Sequence, residues 1–144
     1  MKFLLSLIFL MNFNTPHWNY NYKQAFEKAK TEHKLVIINF SGSDWCGPCI
    51  KLHKDVFASD AFNNIADEYL VLVNADFPRA KKNQLPKEQQ QLNDALADKY
   101  NSKGSFPLTI LANSYGEVIK EWDGFPSNID DFLEDLKTTI QNSK

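Results

Sequence analysis

Two short apolar runs set the terms on which this chain can fold. Leu35-Val36-Ile37-Ile38-Asn39-Phe40 and Tyr69-Leu70-Val71-Leu72-Val73-Asn74-Ala75 are almost continuously hydrophobic and rich in β-branched residues. A strand with one wet face alternates apolar and polar residues, whereas a run without alternation belongs to a strand covered on both faces. Covering layers are at hand. Tyr22, Ala25, Phe26 and Ala29 fall on one face of a helix over residues 22–32. Leu92, Ala95, Leu96 and Tyr100 do the same over residues 87–100, and Ile129, Phe132, Leu133, Leu136 and Ile140 line a C-terminal helix that Ser127 or Asn128 can cap. Ser59 caps a further helix over residues 60–68. Phe106–Leu111 and Glu117–Trp122, joined by the turn at residues 113–116, read as an antiparallel hairpin. The order helix, strand, helix, strand, helix, strand, strand, helix predicts an α/β fold: a central mixed sheet of four strands with helices on both faces. At 144 residues the chain suits a single domain with a hydrophobic core of its own.

The N-terminus stands apart. Lys2 precedes an apolar stretch from Phe3 to Met11 that only Ser6 interrupts. It is too short to span a bilayer, which takes about 20 residues, but it has the length of the apolar core of a secretory signal. Residues 1–15 are therefore assigned to a signal peptide or an apolar N-terminal segment, and residues 16–144 to the folded domain. Export to the cell envelope, the periplasm or the medium is the expected destination, with the cytoplasm as the alternative.

Composition excludes some partners. With 43% apolar and 24% charged residues the chain is an ordinary globular one, and its formal net charge of −2 supplies no pull toward nucleic acid or anionic lipid. The basic cluster of Arg79, Lys81 and Lys82 reads as a solvated loop.

The two cysteines, Cys46 and Cys49, are separated by two residues and follow the first apolar run after the turn Ser41-Gly42-Ser43-Asp44. So short a loop constrains the unfolded chain little, which makes the pair a poor staple. A zinc site needs four ligands, of which this motif supplies two. His53 would be a third at most, and His17 and His33 lie in other segments. No metal is expected, and His53 reads as a surface residue beside the site. Redox chemistry explains the pair better. Cys46 leaves a strand and opens a helix, where unpaired N–H groups and the positive end of the helix dipole favour a thiolate. Pro48 needs no hydrogen bond in the first turn, and Gly47 leaves room for another backbone. Cys46 is thus the expected exposed nucleophile, and Cys49, one turn further in, the buried thiol that resolves the mixed disulfide.

Trp45-Cys46-Gly47-Pro48-Cys49, with Phe106-Pro107 opening a later strand, resembles the thioredoxin superfamily over roughly residues 18–140. The stretch Gly42-Ser43-Asp44-Trp45-Cys46 behind an apolar N-terminal segment is most similar to exported bacterial thioredoxin-like proteins and to the C-terminal thioredoxin domain of membrane-bound disulfide reductases. The resemblance implies a thiol–disulfide oxidoreductase that reduces protein disulfides as a monomer. It implies no cofactor beyond the cysteine pair, and a membrane disulfide reductase as electron donor. It implies further that Pro107 is the cis-proline facing the cysteines, and that Trp45, Gly47, Pro48, Phe106 and Pro107 border the substrate groove. A disulfide oxidase or isomerase, and a non-catalytic binding module on the same fold, are the alternatives.

One departure from the family concerns acid–base chemistry. Where thioredoxins carry a buried aspartate on the strand before the cysteines, this chain has Asn39, and the lysine that neighbours the aspartate falls at Leu72. Asparagine exchanges no proton near neutral pH. Deprotonation of Cys49 is therefore expected to rely on water, hydroxide or an exposed group such as Asp44 or His53.

Overall fold

A computed structural model describes residues 16–144. The assigned signal segment, residues 1–15, lies outside the described residues. The elements run β1 (Trp18–Asn19), α1 (Tyr22–Glu32), β2 (Leu35–Ser41), α2 (Gly47–Leu52), a π-helical turn (His53–Phe57), α3 (Asp60–Tyr69), β3 (Leu70–Asp76), a 3-10 turn (Lys81–Asn83), α4 (Lys87–Tyr100), β4 (Leu108–Ala112), β5 (Val118–Asp123) and α5 (Ile129–Asn142). The sheet order is β1-β3-β2-β4-β5. β1 and β2 pair with β3 in parallel, and β4 is antiparallel to both β2 and β5. The mixed sheet therefore has five strands rather than four. The fifth, β1, is two residues long and carries no periodicity of its own; Trp18 lies opposite Leu72, and the Asn19 side chain donates to the Leu72 carbonyl at 2.9 Å.

Strand alternation sends the side chains of β2, β3 and β4 to two cores. Val36, Ile38, Phe40, Val71, Val73, Ala75, Leu108 and Ile110 pack under α1 and α4. Ile37, Leu70, Leu72 and Leu111 pack under α2, α3 and α5, against Leu52, Phe62 and Leu136 among others. The inner faces of α1 and α5 are those their periodicity predicts. That of α4 is so only in part: Leu96 and Tyr100 face the core as predicted, joined by Ala97, while Ala95 is exposed and Asn93 is buried. The Asn93 amide donates to the Asp76 carbonyl at 2.9 Å and accepts from Gln89, and this polar anchor turns the helix.

The expected helix from Cys46 is broken into segments. Cys46 is the N-cap of α2, with extended backbone, and Ser59 caps α3 by accepting from the Phe62 N–H. Between them the π turn starts at His53. An extra residue in a turn shifts the faces that follow it, and such turns cluster at functional sites.

Candidate active site

The site forms where β2 ends. Phe77 N–H donates to Ser41 O and extends the β2–β3 pairing, after which the chain turns at Gly42. The Gly42 carbonyl accepts from the Trp45 and Cys46 N–H groups, and a Cβ at residue 42 would collide with the Trp45 ring. Only glycine lets the turn close this tightly. The turn delivers Cys46 to the head of α2, where its Sγ accepts from the Cys49 N–H at 3.3 Å.

Cys46 and Cys49 are joined in a disulfide. Cys49 is fully buried, as its place one turn into the helix predicts, but Cys46 is only 5% exposed rather than open to solvent. Gly47 and Pro48, in contrast, are exposed at the helix start. The Phe106–Pro107 peptide is cis, and Pro107 is buried while its carbonyl accepts from Gly124.

Trp45 is held on every side. Its indole N–H donates to the Phe77 carbonyl at 2.8 Å, its ring meets Phe106 edge-on at 5.4 Å, and the Arg79 guanidinium lies 3.6 Å from its centre. Arg79 thus belongs to the rim of the site and is not simply a solvated loop charge. What places it there is Asp44, whose carboxylate accepts from Arg79 N and Ala80 N, both at 2.9 Å, and from the Asn83 amide at 3.0 Å. These bonds, that from the Arg79 N–H foremost, hold the Asp44 carboxyl below its usual value of 3.8. The role of Asp44 left no trace in the sequence, because its partners are backbone amides 35 and 36 residues away.

Beneath α2 the sheet turns polar. Asn39 is wholly buried, as the strand reading requires, and lies in register with Asn74 of β3 and Thr109 of β4. Leu72, the other departure from the family pattern, sits among apolar residues opposite Ile37. The Asn39 amide N–H₂ donates to Thr109 Oγ1 at 3.2 Å and to the Leu108 carbonyl at 3.4 Å. Its Oδ1 lies 3.0 Å from His53 Nε2. His53 is therefore no surface residue: its half-buried ring is wedged against Trp18 and Phe57, with centroids 5.3 and 5.1 Å away. Burial pushes its pKa below the usual 6.5, opposed by the Asp76 carboxylate and the Asn74 side chain. Two asparagines at matching places in otherwise apolar strands, and a histidine four residues after Cys49, are the signal that marks this cluster in the sequence.

Residues 22–139 match the thioredoxin-like domain family. The chain belongs to that family. It is 31% identical over 121 residues to the disulfide bond reductase DsbH of Chlamydia pneumoniae, an alignment that covers 84% of this chain and 71% of that protein. To the thioredoxin-related protein DsbJ of the same organism it is 28% identical over 103 residues, which cover 72% of this chain but only 29% of DsbJ. Among solved structures the DsbH oxidoreductase superposes with a TM-score of 0.80 at 28% identity, covering 98% of this chain and 95% of the other. A thioredoxin from Thermus thermophilus, at 17% identity and a TM-score of 0.65, shares the fold. With its cysteine pair at the head of α2, this thioredoxin-like chain is a thiol–disulfide oxidoreductase. Among the described residues no helix is long and apolar enough to cross a membrane.

Proposed function

We propose that this protein acts as a reductant of protein disulfides in the bacterial cell envelope, with Cys46 as nucleophile and Cys49 as resolving thiol. The observation that carries the reading is the Cys49 N–H aimed at Cys46 Sγ from the first turn of α2. A hydrogen bond of this kind stabilises a thiolate more than a thiol and so lowers the pKa of Cys46. A stable thiolate in the reduced form makes the disulfide harder to form and the protein more oxidising, so direction depends on how far the pKa falls. Gly47-Pro48 is the dipeptide of thioredoxin, whose potential is about −270 mV, against about −120 mV for a strong oxidase. The relative named a disulfide bond reductase supports the same direction.

The substrate chain lies on the ledge made by Trp45, Gly47, Pro48, Phe106 and Pro107, where Gly47 and Pro48 are exposed and Trp45 is fixed. The protein works as a monomer, needs no cofactor beyond its cysteine pair, and receives its electrons from a membrane disulfide reductase. Reduction of insulin disulfides with a thiol donor, together with redox equilibration against glutathione, tests this reading. Wild type should turn over and equilibrate at about −270 mV, Cys46→Ser should be inert, and the Cys46 alkylation midpoint should fall at about pH 7 rather than about 8.5. A potential close to that of the strong oxidases would reverse the direction, and full activity in Cys46→Ser would end the assignment.

A further inference from the structure

Cys49 is completely buried. Burial disfavours the thiolate, yet only the thiolate can attack the mixed disulfide. Some group must take the proton, and asparagine at position 39 cannot. We propose that His53 is the proton acceptor for Cys49 and that Asn39 is the residue that positions it. This rests on Cys49 being the resolving thiol.

Placement is the first support. His53 follows Cys49 by four residues, and its backbone N–H donates to the Cys49 carbonyl, so the two side chains rise from one face of one helical stretch. The π turn begins at His53, and Trp18 and Phe57 pin the ring from two directions.

The second support is the tautomer. The Leu108 carbonyl can only accept, so the Asn39 nitrogen must face it and the Asn39 oxygen must face His53. A ring nitrogen 3.0 Å from that oxygen must carry hydrogen. In the neutral ring Nε2 is then the donor, and Nδ1 keeps its lone pair. Asn39 thus leaves one basic nitrogen free, a task for which an amide serves as well as a carboxylate.

Provision for the charged ring is the third. The groups packed around His53 come from several elements. From its own helical stretch comes Cys49, and from the π turn Phe57. β1 contributes Trp18, β2 Asn39, β4 Thr109 through Asn39, and β3 Asn74 and Asp76. Of these only Cys49 and Asp76 titrate. Asp76 is anchored by Ser43, whose N–H and Oγ–H donate to it at 2.9 and 2.6 Å, and its negative charge favours a protonated ring. The buried Asn74 side chain, whose Oδ1 has no other hydrogen-bond partner, likewise favours the charged form. Burial keeps the resting ring neutral, while Asp76 and Asn74 soften the cost of a transient imidazolium.

The Cys46 thiolate attacks the substrate disulfide, forming the mixed disulfide and releasing one substrate thiolate, which solvent protonates. The Cys49 S–H bond then breaks and its proton passes to His53 Nδ1. Cys49 Sγ attacks Cys46 Sγ, the Cys46–substrate bond breaks, and the second substrate thiolate leaves, taking a proton as His53 returns to neutral. One dithiol has been oxidised and one disulfide reduced to two thiols.

Single-turnover reaction of the reduced protein with an aromatic disulfide separates the two attacks, since each releases one chromogenic thiolate. In wild type the second phase should hold its rate down to the depressed pKa of His53, below 6.5. His53→Gln keeps an amide to face Asn39 but accepts no proton. It should slow the second phase by about 10²-fold near neutral pH, the lower range for general acid–base catalysis, and move its rise to the alkaline limb of the thiol itself. The first phase should be unchanged. Asn39→Asp, which keeps His53 but places a carboxylate on Nε2, should shift the acid break of the second phase upward. A purely structural role would lower stability without moving either pH profile. Superimposable second-phase profiles in wild type and both variants overturn the proposal, as does a loss shared equally by both phases. A wild type that releases no first thiolate would refute the thiol-exchange reading on which it rests.

Discussion

The two faces of the sheet are built from the same three strands, yet they differ where it matters. On the face toward α1 and α4 every inward residue of β2, β3 and β4 is apolar, from Val36 to Phe40 and from Val71 to Ala75. On the face toward α2, α3 and α5 the pattern starts the same way, with Leu35 and Ile37 in β2 and Leu70 and Leu72 in β3, and then changes. Asn39, Asn74 and Asp76 follow, with Thr109 beside them in β4, and His53 closes the group from above. A buried polar group is costly unless it is bonded, so a cluster of them in one corner of a core marks a place where chemistry, not cohesion, dictates the residues. The cluster lies under the helix that carries Cys49. One face holds the domain together, and the end of the other serves the cysteine pair.

Substitutions on the two faces should separate these duties. Phe40 is fully buried on the apolar face, and Phe40→Ala should cost about 3–5 kcal/mol of unfolding free energy through lost transfer energy and a residual cavity. Chemical denaturation would read that loss, while the pH dependence of the resolving step in the surviving folded protein should not move. Asn39→Leu, one residue away and facing the opposite side, should cost less, about 1–3 kcal/mol, because it strands His53 Nε2 and Thr109 Oγ1 in a dry site. Its kinetic signature should be the larger one. If the two variants lost stability equally and shared an unaltered pH profile, the division between the faces would collapse.

A third measurement concerns protons alone. His53 binds its proton less readily in the folded protein than at its usual value of 6.5. The unfolded chain therefore holds more protons in the window between the two values, and stability must fall as acid is added. It should be complete above pH 6.5 and decline below it until the folded pKa is passed. His53→Gln should flatten that decline. An equal decline in wild type and variant would assign the acid sensitivity to other groups.

How much of this was legible beforehand follows from the kind of signal each element carries. β2, β3, α1 and α5 announce themselves because runs or stripes of apolar residues repeat within one segment. The cysteine pair and the turn before it are equally local. α4 is legible as a helix and in part in its orientation, through Leu96 and Tyr100, but Asn93, tied to the Asp76 carbonyl, takes the inward place expected of Ala95. β1 escaped because two residues hold no period, and it forms only by docking on β3. His53 is hidden for a related reason: a histidine on a short helix reads as polar surface until the residues opposite it are known. Its partner Asn39 is 14 positions away and became visible as a partner only when the sheet set it beneath α2.

The smallest expected effect lies at the rim, outside both faces. Asp44 is exposed enough that its removal should leave global stability nearly unchanged, but it clasps the segment after β3 through the Arg79 and Ala80 N–H groups and the Asn83 side chain. The same segment carries the guanidinium that covers Trp45. In Asp44→Ala the Arg79 and Ala80 amides should exchange with solvent faster, while the Ser43 amide, held by Asp76 instead, keeps its protection. Acid should mimic the substitution in wild type. The Asp44 carboxyl is held below 3.8 in the folded protein, so the clasp is complete above that pH and opens as pH falls through the lowered value. Its loss should leave the Trp45 ring open to solvent on the Arg79 side and weaken substrate binding without touching the pH profile of the resolving step, because His53 and Asn39 take no part in these contacts. Unchanged exchange at Arg79 and Ala80 would mean that Gln84, which donates to the Pro78 and Ala80 carbonyls, holds the segment by itself.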